Sequence, residues 1–140
     1  MATTKVQNDD APAEKKGMLW TGRVLSALPV LALAMSSSMK LVGSAGVIDA
    51  FTKHFGYPES ALLGIAIAEI GCAVLYVIPQ TAVLGAIVMT GYLGGAVATH
   101  VRVGENFLIP LALGVVAWAG LYLRDRRLRA LLPLRGARTR

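Results

Sequence analysis

The charges of this 140-residue chain are spaced so widely that they leave four apolar stretches of near membrane-spanning length, and no other feature restricts the fold as strongly. Sixteen uncharged residues separate Arg23 from Lys40, and eighteen separate Glu105 from Arg124. Each approaches the ~20 residues that a helix needs to cross ~30 Å of hydrocarbon. Between Glu59 and His100 lie forty residues whose only charge is Glu69. That length is two spans, joined where Pro79-Gln80 breaks the helix. The expectation is an all-α integral membrane four-helix bundle, with spans over 19–42, 58–78, 81–100 and 107–123.

The flanks divide the chain further. Residues 1–18 are polar, contain Pro12 and hold too little apolar surface to fold alone, so they are expected to form a disordered leader. The four-span domain then covers 19–124, and 125–140 form a basic tail. From Arg124 onward, seven arginines (Arg124, Arg126, Arg127, Arg129, Arg135, Arg138 and Arg140) stand against the single acid Asp125. Lys5, Lys15, Lys16 and Arg23 lie at the start of the first span. An even number of spans puts both ends on one side, and the excess of Lys and Arg places that side in the cytoplasm. Residues 44–57 and 102–106 would then lie outside. The apolar run beginning at Val24 continues to Met39, which favours a retained span over a cleaved signal. Losing it would leave three spans and put the basic ends in conflict.

The formal net charge of +6 does not indicate nucleic acid, because no aromatic residues interleave with the arginines and no binding motif is present. The tail can instead touch anionic lipid. Cys72 is the only cysteine, so neither an internal disulfide nor a cysteine pair for a metal can form. No metal, flavin or haem motif is present. Between the first two spans, Ser44 is placed to cap a short interfacial helix. Val47, Ile48, Phe51 and Phe55 would share one face of it and Asp49, Thr52 and Lys53 the other, with Gly56 ending it. Pro29 is placed to bend the first span.

Glu69 falls near the bilayer midplane, where an ionised acid costs about 2.5–3.5 kcal/mol, so it should face the protein and have a partner. Two readings remain open for it: proton handling or ligand contact, and a structural hydrogen bond between helices. Tyr92 sits at a similar depth on the antiparallel neighbour and is its candidate partner. Gly91, Gly94, Gly95 and Ala98 read as small-residue helix packing, with close approach of a flat ligand as the alternative. Ser37 and Lys40 end the first span, and His100 and Arg102 end the third. They are expected to form a basic outer rim that either snorkels to the interface or receives an anionic or quinone oxygen. Depth separates Lys40 from Glu69, so a direct ion pair is not expected and water or Ser36 would have to bridge them. The ligand-binding set is therefore Ser37, Lys40, Glu69, Tyr92, His100 and Arg102, lining one outward-opening cavity. No catalytic set and no metal ligands are assigned.

Several runs carry a family resemblance: Ser37 with Lys40-Leu41, Gly56-Tyr57-Pro58, Glu69 with Gly71, Ile78-Pro79, Leu123-Arg124-Asp125, and above all residues 90–102, Thr-Gly-Tyr-Leu-Gly-Gly-Ala-Val-Ala-Thr-His-Val-Arg. Over 21–133 the chain resembles the DoxX-like family of small four-helix bacterial membrane proteins. The family takes its name from a membrane subunit of a thiosulfate:quinone oxidoreductase. The resemblance implies the fold, a bacterial inner-membrane location and a redox-linked or quinone-binding role. The functional expectation is an auxiliary subunit that binds a small lipophilic molecule such as quinone and is not an enzyme on its own. Its partners would be the bilayer and a soluble redox protein or further copies of itself. The alternative is a small carrier or lipid-contacting scaffold without catalysis.

Overall fold

A computed structural model describes residues 13–131, and every regular element among them is helical. The elements are α1 (Ala13–Val42), α2 (Ala45–Asp49), which continues into a π-helical turn (Ala50–His54), α3 (Ala61–Val77), α4 (Ala82–Val103), α5 (Leu108–Arg124) and α6 (Arg126–Leu131). Most of the expected leader and the end of the basic tail lie outside the described residues. Within them, α1 already begins at Ala13 and α6 occupies the first part of the tail.

The helix boundaries follow local chemistry. The α3–α4 corner falls at Pro79, whose ring forces Ile78 into extended backbone (ψ 119°) and ends α3. Gly104 closes α4 at φ +73°, a left-handed value that costs glycine little and other residues more. Gly56 does the same after the π-helical turn at φ +70°. Ser44 holds the N-cap position of α2 but makes no side-chain capping bond, so its expected capping hydroxyl is not used. Pro29 is accommodated inside a continuous α1, where it is buried.

Four long helices pack in a closed order, α1 against α3 and α5, and α4 against α3 and α5. Their directions alternate: the C-terminal half of α1 shares a cavity with the N-terminal halves of α3 and α5 and the C-terminal half of α4. Each helix buries one stripe at helical spacing, as in Leu33, Ser37 and Lys40 on α1 and Leu62, Ala66, Glu69, Ala73 and Tyr76 on α3. Small residues set how closely the helices cross. A Cβ added to Gly22 would lie 2.9 Å from the Gly120 carbonyl, and one added to Gly120 would lie 2.7 Å from the Ser26 amide. Gly85 meets the backbone of Tyr76 still more tightly. Tyr76, fully buried, donates from its hydroxyl to the Ala117 carbonyl at 2.7 Å and lies 3.0 Å from Ser26 Oγ, tying α3 to α5 and α1.

These contacts correct the reading of Gly91, Gly94, Gly95 and Ala98 as close-packing residues. A Cβ at any of the three glycines meets nothing within 4 Å, and Ala98 is exposed. The glycines that permit close crossing are Gly22, Gly85 and Gly120, which sit on buried stripes. By contrast the outer faces carry large apolar side chains, including Leu31 at 65 %, Met35 at 68 % and Ile109 at 69 % exposure. Among the described residues two helices, Lys16–Val42 and Ala82–Val103, are long and apolar enough to cross a membrane. α3 and α5 are apolar too, and their 17 residues span about 25 Å at ~1.5 Å per residue.

Candidate functional site

At the end of the molecule away from α6, the four helices diverge around a cavity of about 590 Å³. Most of its wall is apolar, with Leu33 from α1, Ile65 from α3, Leu93 from α4 and Leu113 from α5. Small residues of α4, Gly91, Gly95 and Ala96, widen it, because they leave space where a longer side chain would stand. Of the two openings considered for the α4 glycines, ligand approach matches Gly91 and Gly95, while Gly94 and Ala98 lie on the outside.

A buried polar cluster forms one wall. Lys40 Nζ lies 3.0 Å from both Glu69 carboxylate oxygens and donates to Ser36 Oγ at 2.6 Å. Ser36 in turn donates to Glu69 Oε1 at 2.8 Å, and the Tyr92 hydroxyl donates to the same oxygen. The Lys40 and Glu69 side chains are 5 % and 2 % exposed, so the pair is almost wholly desolvated. Such a pair persists only when its remaining hydrogen-bonding capacity is met, which Ser36 and Tyr92 do here. The carboxylate and the ammonium cancel within a few ångströms, leaving a neutral cluster in an apolar setting.

The expectation that depth keeps Lys40 from Glu69 is therefore wrong. Side chains on a helix lean toward its N-terminus, so Lys40 folds back one turn and places Nζ beside Ser36, four residues earlier. That same lean was the signal in the sequence for Ser36, which occupies the place assigned to Ser37. Ser37 is buried but bonds to the Ala34 carbonyl at 3.0 Å and does not line the cavity. Lys40 belongs to the buried wall rather than to the rim.

The other expected residues divide. Glu69, Tyr92 and His100 line the cavity together with Lys40. Arg102 does not: it is exposed, stacks over the Tyr57 ring with Cζ 5.6 Å from its centroid, and donates to the Phe55 carbonyl. His100 uses Nδ1 on the Ala96 carbonyl at 2.8 Å. If Nδ1 carries the proton, as that bond requires, Nε2 is an acceptor in the neutral ring. Nε2 stands 3.8 Å from Glu105 Oε2, too far for a hydrogen bond.

Sequence reasoning missed the roof. The apolar face expected to rest on the membrane surface instead turns Phe51 and Phe55 over the cavity, joined by Tyr57. Phe51 and Phe55 meet edge to face at 5.6 Å, and the Lys40 ammonium lies 5.0 Å from the Phe51 ring. Three contacts fasten this segment to α4 and the α4–α5 turn: Tyr57 hydroxyl to Thr99 Oγ1 at 2.7 Å, His54 Nε2 to Glu105 Oε1 at 2.7 Å, and Arg102 to the Phe55 carbonyl. The cavity thus has a polar wall at Lys40, Glu69 and Tyr92, a second polar edge at Thr99 and His100, and apolar surface between. Among the described residues no three His, Cys, Asp or Glu side chains gather closely enough to hold a metal ion.

A family model described as the DoxX-like family covers residues 24–120, more than half of the chain, and includes every cavity residue from Ala32 to Leu113. No curated protein and no solved structure matches the chain.

Proposed function

The chain belongs to the DoxX-like family, and from that premise we propose that it is a multi-pass protein of the bacterial inner membrane that binds one small lipophilic molecule in the Glu69 cavity. The ligand is an apolar body bearing carbonyl or hydroxyl oxygens, a quinone being the leading candidate. The single observation that carries this reading is the buried Ser36–Lys40–Glu69–Tyr92 cluster set into an otherwise apolar cavity of about 590 Å³. Volumes of roughly 300–1,000 Å³ with a few convergent polar groups are usual for small-molecule sites. Polar groups at two edges suit a flat molecule with oxygens on opposite sides. One oxygen would exchange into the reach of Lys40 or Tyr92, and the other would meet Thr99 or His100.

Membrane placement is supported by the large apolar side chains that every long helix turns outward, far more than a soluble monomer leaves exposed. The arginine-rich end of α5 and α6 favours a cytoplasmic location for the termini. The chain acts on this reading as a binding subunit: its polar cluster holds and orients a ligand, and a partner protein supplies any redox step. The test is mass spectrometry of small molecules extracted from protein purified in mild detergent. Wild type should carry a lipophilic carbonyl compound that Ala96→Phe, which fills the cavity, has lost. Equal profiles for the two proteins would leave the scaffold reading instead.

A further inference from the structure

At the opposite end of the molecule, α1, α3 and α5 border a second cavity, open along one side, of about 300 Å³. Arg23 and Arg124 line it with Ser26, and its remaining walls, including Ala27, Leu31 and Val77, are apolar. Arg124 is held firmly in place. Its Nη2 donates to the Tyr76 carbonyl at 2.8 Å, one of the carbonyls left free at the end of α3, and its Cζ lies 4.8 Å from the centroid of the Tyr76 ring. Its Nε is buried and has no hydrogen-bond partner. A buried donor left without an acceptor is unfavourable, and arginine's planar fork meets an oxyanion with two parallel bonds.

No acidic side chain among the described residues supplies that anion. Among the described residues neither Arg23 nor Arg124 forms an ion pair. The neighbouring acid, Asp125, is already engaged, its Oδ1 accepting from the Arg127 and Leu128 amides to start α6. Arg23 stands over the ring of Trp20, which is 64 % exposed, a placement suited to a headgroup layer.

We propose that the Arg23–Arg124 cavity binds a phosphate group, supplied by an anionic membrane lipid. The guanidinium edge of Arg124 receives the phosphate oxygens, Arg23 adds a second positive charge, and the acyl chains leave along the exposed sides of Leu31 and Val77. The site shares only membrane placement with the function proposed above, and its residues do not line the Glu69 cavity.

Native mass spectrometry of the full chain in mild detergent tests it, with phosphatidylglycerol, phosphatidylcholine and inorganic phosphate added separately. Phosphatidylglycerol should be retained over phosphatidylcholine. Arg23→Gln, which breaks no hydrogen bond among the described residues, should weaken retention about tenfold, the scale of one charged hydrogen bond. Arg124→Lys keeps the charge but lacks the fork, so it should also weaken binding. Arginine-dependent retention of inorganic phosphate with none of phosphatidylglycerol would uphold the anion site and overturn its lipid source. Equal retention of the two lipids, or no change in either variant, would overturn the site itself. Retention of the Glu69-cavity ligand in the same variants separates failure here from failure of the proposed function.

Discussion

Replacing Glu69 by leucine would remove the acceptor of four contacts at once: two from Lys40 at 3.0 Å, one from Ser36 at 2.8 Å and one from Tyr92. What remains is an ammonium 5 % exposed, with Ser36 as its only side-chain hydrogen-bond acceptor, and a phenol without an acceptor. Breaking a buried pair in this way costs about 3–5 kcal/mol, whereas replacing both partners by apolar groups is often near neutral. Glu69→Leu should therefore lower the melting temperature by about 12 °C or more, at about 4 °C per kcal/mol for a chain of this size. Lys40→Met with Glu69→Leu should recover most of that loss. Cys72 supplies the assay, because this buried thiol becomes reactive to a fluorogenic maleimide only on unfolding. If the two single effects add in the double variant, the coupling read from the geometry does not exist.

Glycine positions give a paired prediction. Gly85→Ala should cost about 1–3 kcal/mol by overpacking against the Tyr76 backbone, whereas Gly94→Ala, facing open space, should be neutral or gain up to about 1 kcal/mol of helix propensity; the same thermal assay reads both. Tyr76→Phe should cost about 0.5–1.5 kcal/mol by removing the buried hydrogen bond from the phenol to the Ala117 carbonyl, and an unchanged melting temperature would refute that role. On a Cys72→Ser background, an impermeant thiol reagent applied to intact cells should label Asp49→Cys and not Arg127→Cys; the reverse pattern would invert the topology.

How much of this was legible beforehand varies by residue. Helix positions came through because charge spacing and Pro79 act locally, and observed ends fall within a few residues of expected ones except at α1, where a polar first turn extends the helix to Ala13. Glu69 and Tyr92 were legible as partners because each is a polar group at matching depth on antiparallel neighbours. Lys40 was misplaced because its depth was assigned from its Cα, while its long stem delivers the charge a full turn away. The α4 glycines were misread because a small-residue stripe has the same pattern whether it faces a helix or a void. The aromatic roof was invisible as such, since amphipathicity predicts that a face is covered and does not say by what.

The most direct test is an experimental structure of the protein in lipid nanodiscs prepared from native membrane. The predicted result is non-protein density in the cavity beneath Phe51 and Phe55, with a polar atom within hydrogen-bond distance of Lys40 Nζ or the Tyr92 hydroxyl. A cavity that closes on itself, or that holds only water around an intact Lys40–Glu69 pair, would contradict it and leave that pair as a purely structural clasp.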